Sequence, residues 1–220
     1  MVESRIARTN PFLNGTIDLQ GAKRSLVVES LLEAVDFVHS RAKGDEVVGY
    51  RFGFARLPFQ PDRRSGGTAA HFWSEDLPRN ECPHTHIFGL RSRKVRGGLT
   101  NLTWRIVPGA SETAAPHRLV VPSYANSGGT VFESHQPVHL EVASIQEIRA
   151  DEDGYYEVPK GTIHSTTGIK QGTITAIDRV DPSARDLPRS YIPEGGRENV
   201  PPVSLGEDGW RLVTTMLQKL

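Results

Sequence analysis

Cysteine is nearly absent. The 220-residue chain holds one, Cys82, so no disulfide can form within it, and a reducing compartment fits. Neither sign of charge is in excess, since 26 Lys and Arg stand against 26 Asp and Glu. That balance gives no basis for broad capture of nucleic acid or of an anionic membrane. No apolar run approaches the roughly 20 residues that span a bilayer. The opening residues, Met-Val-Glu-Ser-Arg, lack the apolar stretch of a secretory signal. The expectation is a soluble, cytoplasmic protein. No internal repeat is evident, and the length fits one domain with extensions, long enough to bury a sizeable core.

Turn-forming residues are plentiful: 21 glycines and 15 prolines, as an all-β fold needs. Leu26, Leu31, Leu32, Val35 and Val38 recur near helical spacing and predict a helix over Ser25–Ala42, stopped by Gly44. Strands are expected over 47–57, 68–73, 99–107, 118–124, 130–134, 138–148 and 172–180. The segment 181–202 carries five prolines and little periodicity, as a tail or lid would. Trp210, Leu212, Val213, Met216, Leu217 and Leu220 give the chain end an amphipathic helix from about Glu207. Three parts follow: an N-terminal extension and helix (1–46), a β barrel (47–180), and a C-terminal tail and helix (181–220).

Two stretches carry chemistry. In Pro83-His84-Thr85-His86 the histidines are two apart, so on a strand both side chains take the same side. Neutral imidazole is the commonest ligand for zinc, iron, copper and nickel. Downstream, Pro159 and Gly161 mark a turn into a new strand that carries His164.

HxH followed by PxGxxH resembles the two signature motifs of the cupin superfamily, over roughly Asn80 to Val180. The first motif also keeps its hairpin glycine, as Gly97 or Gly98. The resemblance implies an all-β jelly-roll barrel with one metal held by His84, His86 and His164. It also implies a homodimer, since cupins commonly pair. One copy of each motif makes this a single-barrel cupin. The usual glutamate after the second histidine is missing: Leu90 and Arg91 stand at its positions, and Ser92 follows. Cysteine dioxygenase and related thiol dioxygenases also lack that glutamate and hold Fe(II) with three histidines.

An inward Arg91 would clamp a substrate anion bidentately; a shift of one residue would instead turn Ser92 inward. Asn101, Thr103 and Arg105 share the polar face of the 99–107 strand and would line the ligand space, opposite an apolar face of Leu102, Trp104 and Ile106. Thr162 shares a face with His164. Tyr155 and Tyr156 point to opposite faces, so one of them is expected inward, either to donate a hydrogen bond near the metal or to cap the core at the barrel mouth. The leading expectation is a mononuclear non-haem Fe(II) dioxygenase taking O2 and a small metal-chelating substrate. The alternatives are an isomerase, lyase or epimerase using Zn, Mn or Ni, with Glu141, Glu157 or His71 as base, or a non-catalytic binding domain. A fourth ligand from His71, His117, His135 or His139 would favour the last. His71 and His117 are otherwise expected to be structural and surface residues, respectively.

Overall fold

The computed structural model describes residues 47–220 apart from 51, 59–67, 81, 110–112, 123–129, 152–153, 182–186 and 197–201. The helix expected over Ser25–Ala42 lies outside the described residues, with the rest of segment 1–46.

The described chain is mostly β. One antiparallel sheet is built from β1 (Val48–Tyr50), β2 (Phe54–Pro58), β3 (Thr68–Trp73), β4 (Gly89–Arg96), β9 (Tyr155–Val158), β11 (Ile174–Val180) and β13 (Val203–Ser204). Its strand order is β13-β1-β2-β3-β11-β4-β9. The single strand expected over 47–57 is a hairpin, because Gly53 takes a φ of 85° and its N–H donates to the Tyr50 carbonyl at 3.1 Å. A side chain resists that backbone conformation and glycine does not.

The second sheet holds β5 (Leu99–Val107), β6 (Ala115–Pro122), β7 (Thr130–Glu133), β8 (Val138–Ile148), β10 (Ile163–Thr167) and β12 (Ser190–Pro193). Its order is β10-β5-β8-β6-β12, with β7 paired to β6. The proline-rich stretch after Asp181, expected as an irregular tail or lid, therefore supplies a sheet strand. Its Tyr191 and Ile192 are each 1% exposed. Burial of these two side chains compensates for weak periodicity.

The faces of the first sheet are divided by residue alternation. One face buries Ala55, Leu57, Ala70, Phe72, Ile174 and Ala176 against Trp210, Val213, Met216 and Leu217 of helix α1 (Gly206–Leu217). Glu207 and Asp208 sit in the first turn of α1, where the helix dipole favours negative charge. The opposite face of the sheet meets the second sheet through Ala69, Leu90, Tyr156, Val158 and Ile177, packed on Leu99 and Ile148. A third cluster, Leu140, Ile163 and Tyr191 with Trp104, Leu119 and Val138, belongs to the second sheet alone.

One expectation is corrected here. His117 is not a surface histidine: it is 5% exposed on β6, and its Nδ1–H donates to the Ala115 carbonyl at 2.9 Å. On β5 Asn101 of the polar face is buried at 2% exposure, while Arg105 of that face and Ile106 of the apolar face are both exposed, beyond a register shift at Thr103 and Trp104.

Candidate metal centre

The HxH segment is extended but lies outside the named strands. It runs between β10 and β12 and bridges both. His84 N–H donates to the His164 carbonyl at 2.8 Å, and His164 N–H returns a bond to His84 at 2.9 Å. On the other side Tyr191 N–H donates to Pro83 and Thr85 N–H to Arg189, each at 2.8 Å. The extended path turns His84 and His86 the same way. Gly161, at φ 75°, makes the turn before β10 and donates its N–H to the His86 carbonyl at 3.2 Å. The backbone thus sets the two motifs beside each other before any side chain takes part.

The ligand atoms of His84, His86 and His164 all lie within 4.8 Å of one another. The Nε2 atoms of His86 and His164 are 2.9 Å apart. Two nitrogens bound to one ion at about 2.1 Å would stand roughly 3.0 to 3.4 Å apart, so these rings are close enough to share an ion. Carbonyl oxygens only accept, so the rings facing them must donate. His84 Nδ1–H donates to the Cys82 carbonyl and His164 Nδ1–H to Asn101 Oδ1, each at 3.1 Å. This tautomer makes Nε2 the unprotonated nitrogen of both rings, the form a metal ligand requires.

Burial, reinforced by neighbouring positive charge, pushes His86 and His164 well below the ordinary histidine pKa. Both are therefore neutral and ready to ligate at physiological pH. Two phenyl rings cover the cluster: Phe52 stacks on His84 with centroids 4.3 Å apart, and Phe88 on His86 at 4.9 Å. Among the described residues no further His, Cys, Asp or Glu joins the group.

The other candidate residues divide. Asn101 is brought to the histidines, as a partner of His164. Thr103 pairs with His164 across β5 and β10, but its hydroxyl bonds Ser144 at 2.6 Å. Thr162 sits in the turn, its N–H on the Pro159 carbonyl at 3.1 Å. Tyr156 is the inward tyrosine: it is 4% exposed, and its phenol faces Ser92 and Thr166. Tyr155 points outward and donates to Glu157; desolvation and that carboxylate push its pKa up to about 12.

Arg91 is not brought to the site. Ser92 is the buried residue, fully enclosed, while Arg91 is exposed and paired with Glu157 at 3.0 Å. Pairing Ser92 with the inward Tyr156 sets that register. Arg105 is exposed and engages Glu141, whose other carboxylate oxygen accepts from Thr113 at 3.1 Å. His71 lies on the inner face of the first sheet, stacked on Phe54 at 3.9 Å. It stands near enough to His86 for a proton on either ring to be felt by the other. His135 is exposed, and His139 lies beside His117 on the second sheet.

Sequence reasoning missed Phe52, Phe88 and two inner-face arginines, Arg56 and Arg179. The alternation Phe52-Phe54-Arg56 carried a signal for one face, but which face it was depended on the hairpin at Gly53. Compared with known proteins, the chain matches no family model and no curated protein sequence.

Proposed function

We propose that the chain is a single-barrel cupin that holds one mononuclear metal ion, Fe(II), through His84, His86 and His164. On this reading it is a dioxygenase acting on a small organic substrate that chelates the metal through an anionic group. One observation carries it: three imidazoles converge with no carboxylate among the described residues. A bound Fe(II) there would supply activation of O2 and polarisation of the chelating group, with coordination positions left for both.

The chain's own residues set the conditions. Asn101 and the Cys82 carbonyl hold two of the ligand rings in one tautomer. Phe52 and Phe88 stack on two of the ligand rings and cover part of the cluster. The Tyr156 hydroxyl lies over Thr166, two residues beyond His164 and on the same face, where it can hold a proton near bound substrate.

An isomerase or lyase with Zn, Mn or Ni needs a general base near the metal. Glu141 and Glu157 are occupied with Arg105 and Arg91. His71, neutral and close to His86, sustains that second reading.

The test is metal content of the untagged protein beside His84→Ala and His164→Ala, followed by O2 uptake with small thiols, amino acids and enolisable acids. Near-stoichiometric iron lost in both variants, with oxygen consumption, supports the dioxygenase. Turnover without oxygen moves the assignment to the isomerase class. No metal after reconstitution removes the catalytic centre and leaves a binding domain.

A further inference from the structure

Two arginines, Arg56 and Arg179, lie on the inner face of the first sheet. Arg56 lies opposite His71 in the β2–β3 register. Arg179 follows Ile177 on the same face of β11, and its guanidinium lies over the Phe88 ring at 4.6 Å. Phe88 in turn stacks on His86. The Nε atoms of both arginines are buried and lack a hydrogen-bond partner. Among the described residues no carboxylate pairs with either.

A guanidinium Nε buried without an acceptor is costly, and a second positive charge close enough to be felt adds to that cost. Burial and the charge of Arg56 hold the Arg179 guanidinium down to about 10. His71 offers no countercharge, being kept neutral by burial and by both arginines. Both arginines are partly buried, and a purely structural pair would carry an acid, which the described residues do not supply.

We infer that Arg56 and Arg179 form a binding site for a doubly charged oxyanion, a phosphate monoester or a dicarboxylate. This oxyanion is the end of the substrate remote from its metal-chelating atom. The inference rests on the proposed metal centre only for that last assignment. Arginine forks suit such oxyanions bidentately, and a phosphate monoester brings close to two negative charges near neutral pH. A monocarboxylate would leave one guanidinium uncompensated.

The experiment uses the full chain, as purified and after chelation, in a zwitterionic buffer of constant ionic strength. Inorganic phosphate, succinate and acetate are titrated calorimetrically, and thermal unfolding is followed with each. Phosphate or succinate is expected to bind once per chain and to raise the Tm, with acetate at least tenfold weaker; whichever binds tighter separates the two oxyanion classes. Arg56→Gln and Arg179→Gln are expected to lose at least tenfold in affinity. Arg179→Met is expected to melt higher than wild type without anion and to lose the anion-dependent rise. If the neutral variants do not fold, Arg56→Lys and Arg179→Lys keep the charge and are expected to weaken binding severalfold.

His84→Ala is expected to bind the anion within twofold of wild type, so loss of the metal centre and loss of the anion site are read separately. The inference is overturned by absence of saturable anion binding, by equal affinity for acetate, or by affinity unchanged in the arginine variants. It is also overturned if Arg179→Met melts lower in anion-free buffer while still binding.

Discussion

The Nδ1–H of His164 donates to Asn101 Oδ1 at 3.1 Å, and both side chains are buried. This bond fixes the tautomer that turns the Nε2 lone pair toward His86. Asn101→Ala is expected to weaken metal binding about 10–100-fold. Asn101→Asp keeps an acceptor there and is expected to retain affinity closer to wild type. Competition with a metal chelator measures both. Equal affinity in wild type and Asn101→Ala would show that the ring needs no such support.

Arg91 and Glu157 form an ion pair with both side chains about half exposed, at 46% and 51%. Exposed pairs contribute little, at most about 1 kcal/mol. Arg91→Ala is therefore expected to shift the urea midpoint slightly and to leave metal content and anion affinity unchanged. A loss of either function would return Arg91 to the site.

Much of this was legible before any coordinates. The strands 68–73 and 99–107 follow from alternation, and the closing helix from its apolar stripe. The grouping of His84, His86 and His164 follows from two short motifs. What was not legible depends on distant pairing. Arg91 and Ser92 compete for one inward position, and only the register against Tyr156 decides between them. The strand Ser190–Pro193 hides among prolines, because it is held by pairing with β6 and the Pro83–Thr85 backbone and by burial of Tyr191 and Ile192. Arg56 and Arg179 look like ordinary surface cations until β2, β3 and β11 are laid side by side.

Acid is expected to destabilise the metal-free protein through its buried histidines. His71 has its pKa well below the ordinary value, by burial first and then by Arg56 and Arg179. The unfolded chain takes up the proton near pH 6.5 and the folded chain only at lower pH. Between those values the unfolded state binds more protons, so stability falls as pH drops. His86, His117 and His164 act in the same direction. Urea midpoints of the chelated protein should hold above about pH 7.5 and decline from about pH 6.5 downward. His71→Phe, which keeps the stack on Phe54, is expected to make that decline shallower. An unchanged slope would show that His71 titrates normally.

Tyr156 sits in the core between the sheets, its phenol turned to Ser92 and Thr166 and its pKa pushed up by burial. Tyr156→Phe keeps the ring and removes one hydrogen-bonding group. It is expected to cost about 1 kcal/mol in chemical denaturation and to leave metal stoichiometry intact. A fall in turnover with unchanged metal would place the hydroxyl in the reaction. Unchanged turnover would confine it to packing.

The bonds that seat His84 come from His164 and from the neighbours of Ser190, both far along the chain. During synthesis from the N-terminus, the first two imidazoles leave the ribosome long before the third. The strand that braces them on the other side emerges later still. A half-made chain therefore offers a metal only a flexible pair of histidines, which holds it weakly and without selectivity. If the three histidines hold a metal, the full site is complete only after His164 and the strand beyond it have emerged.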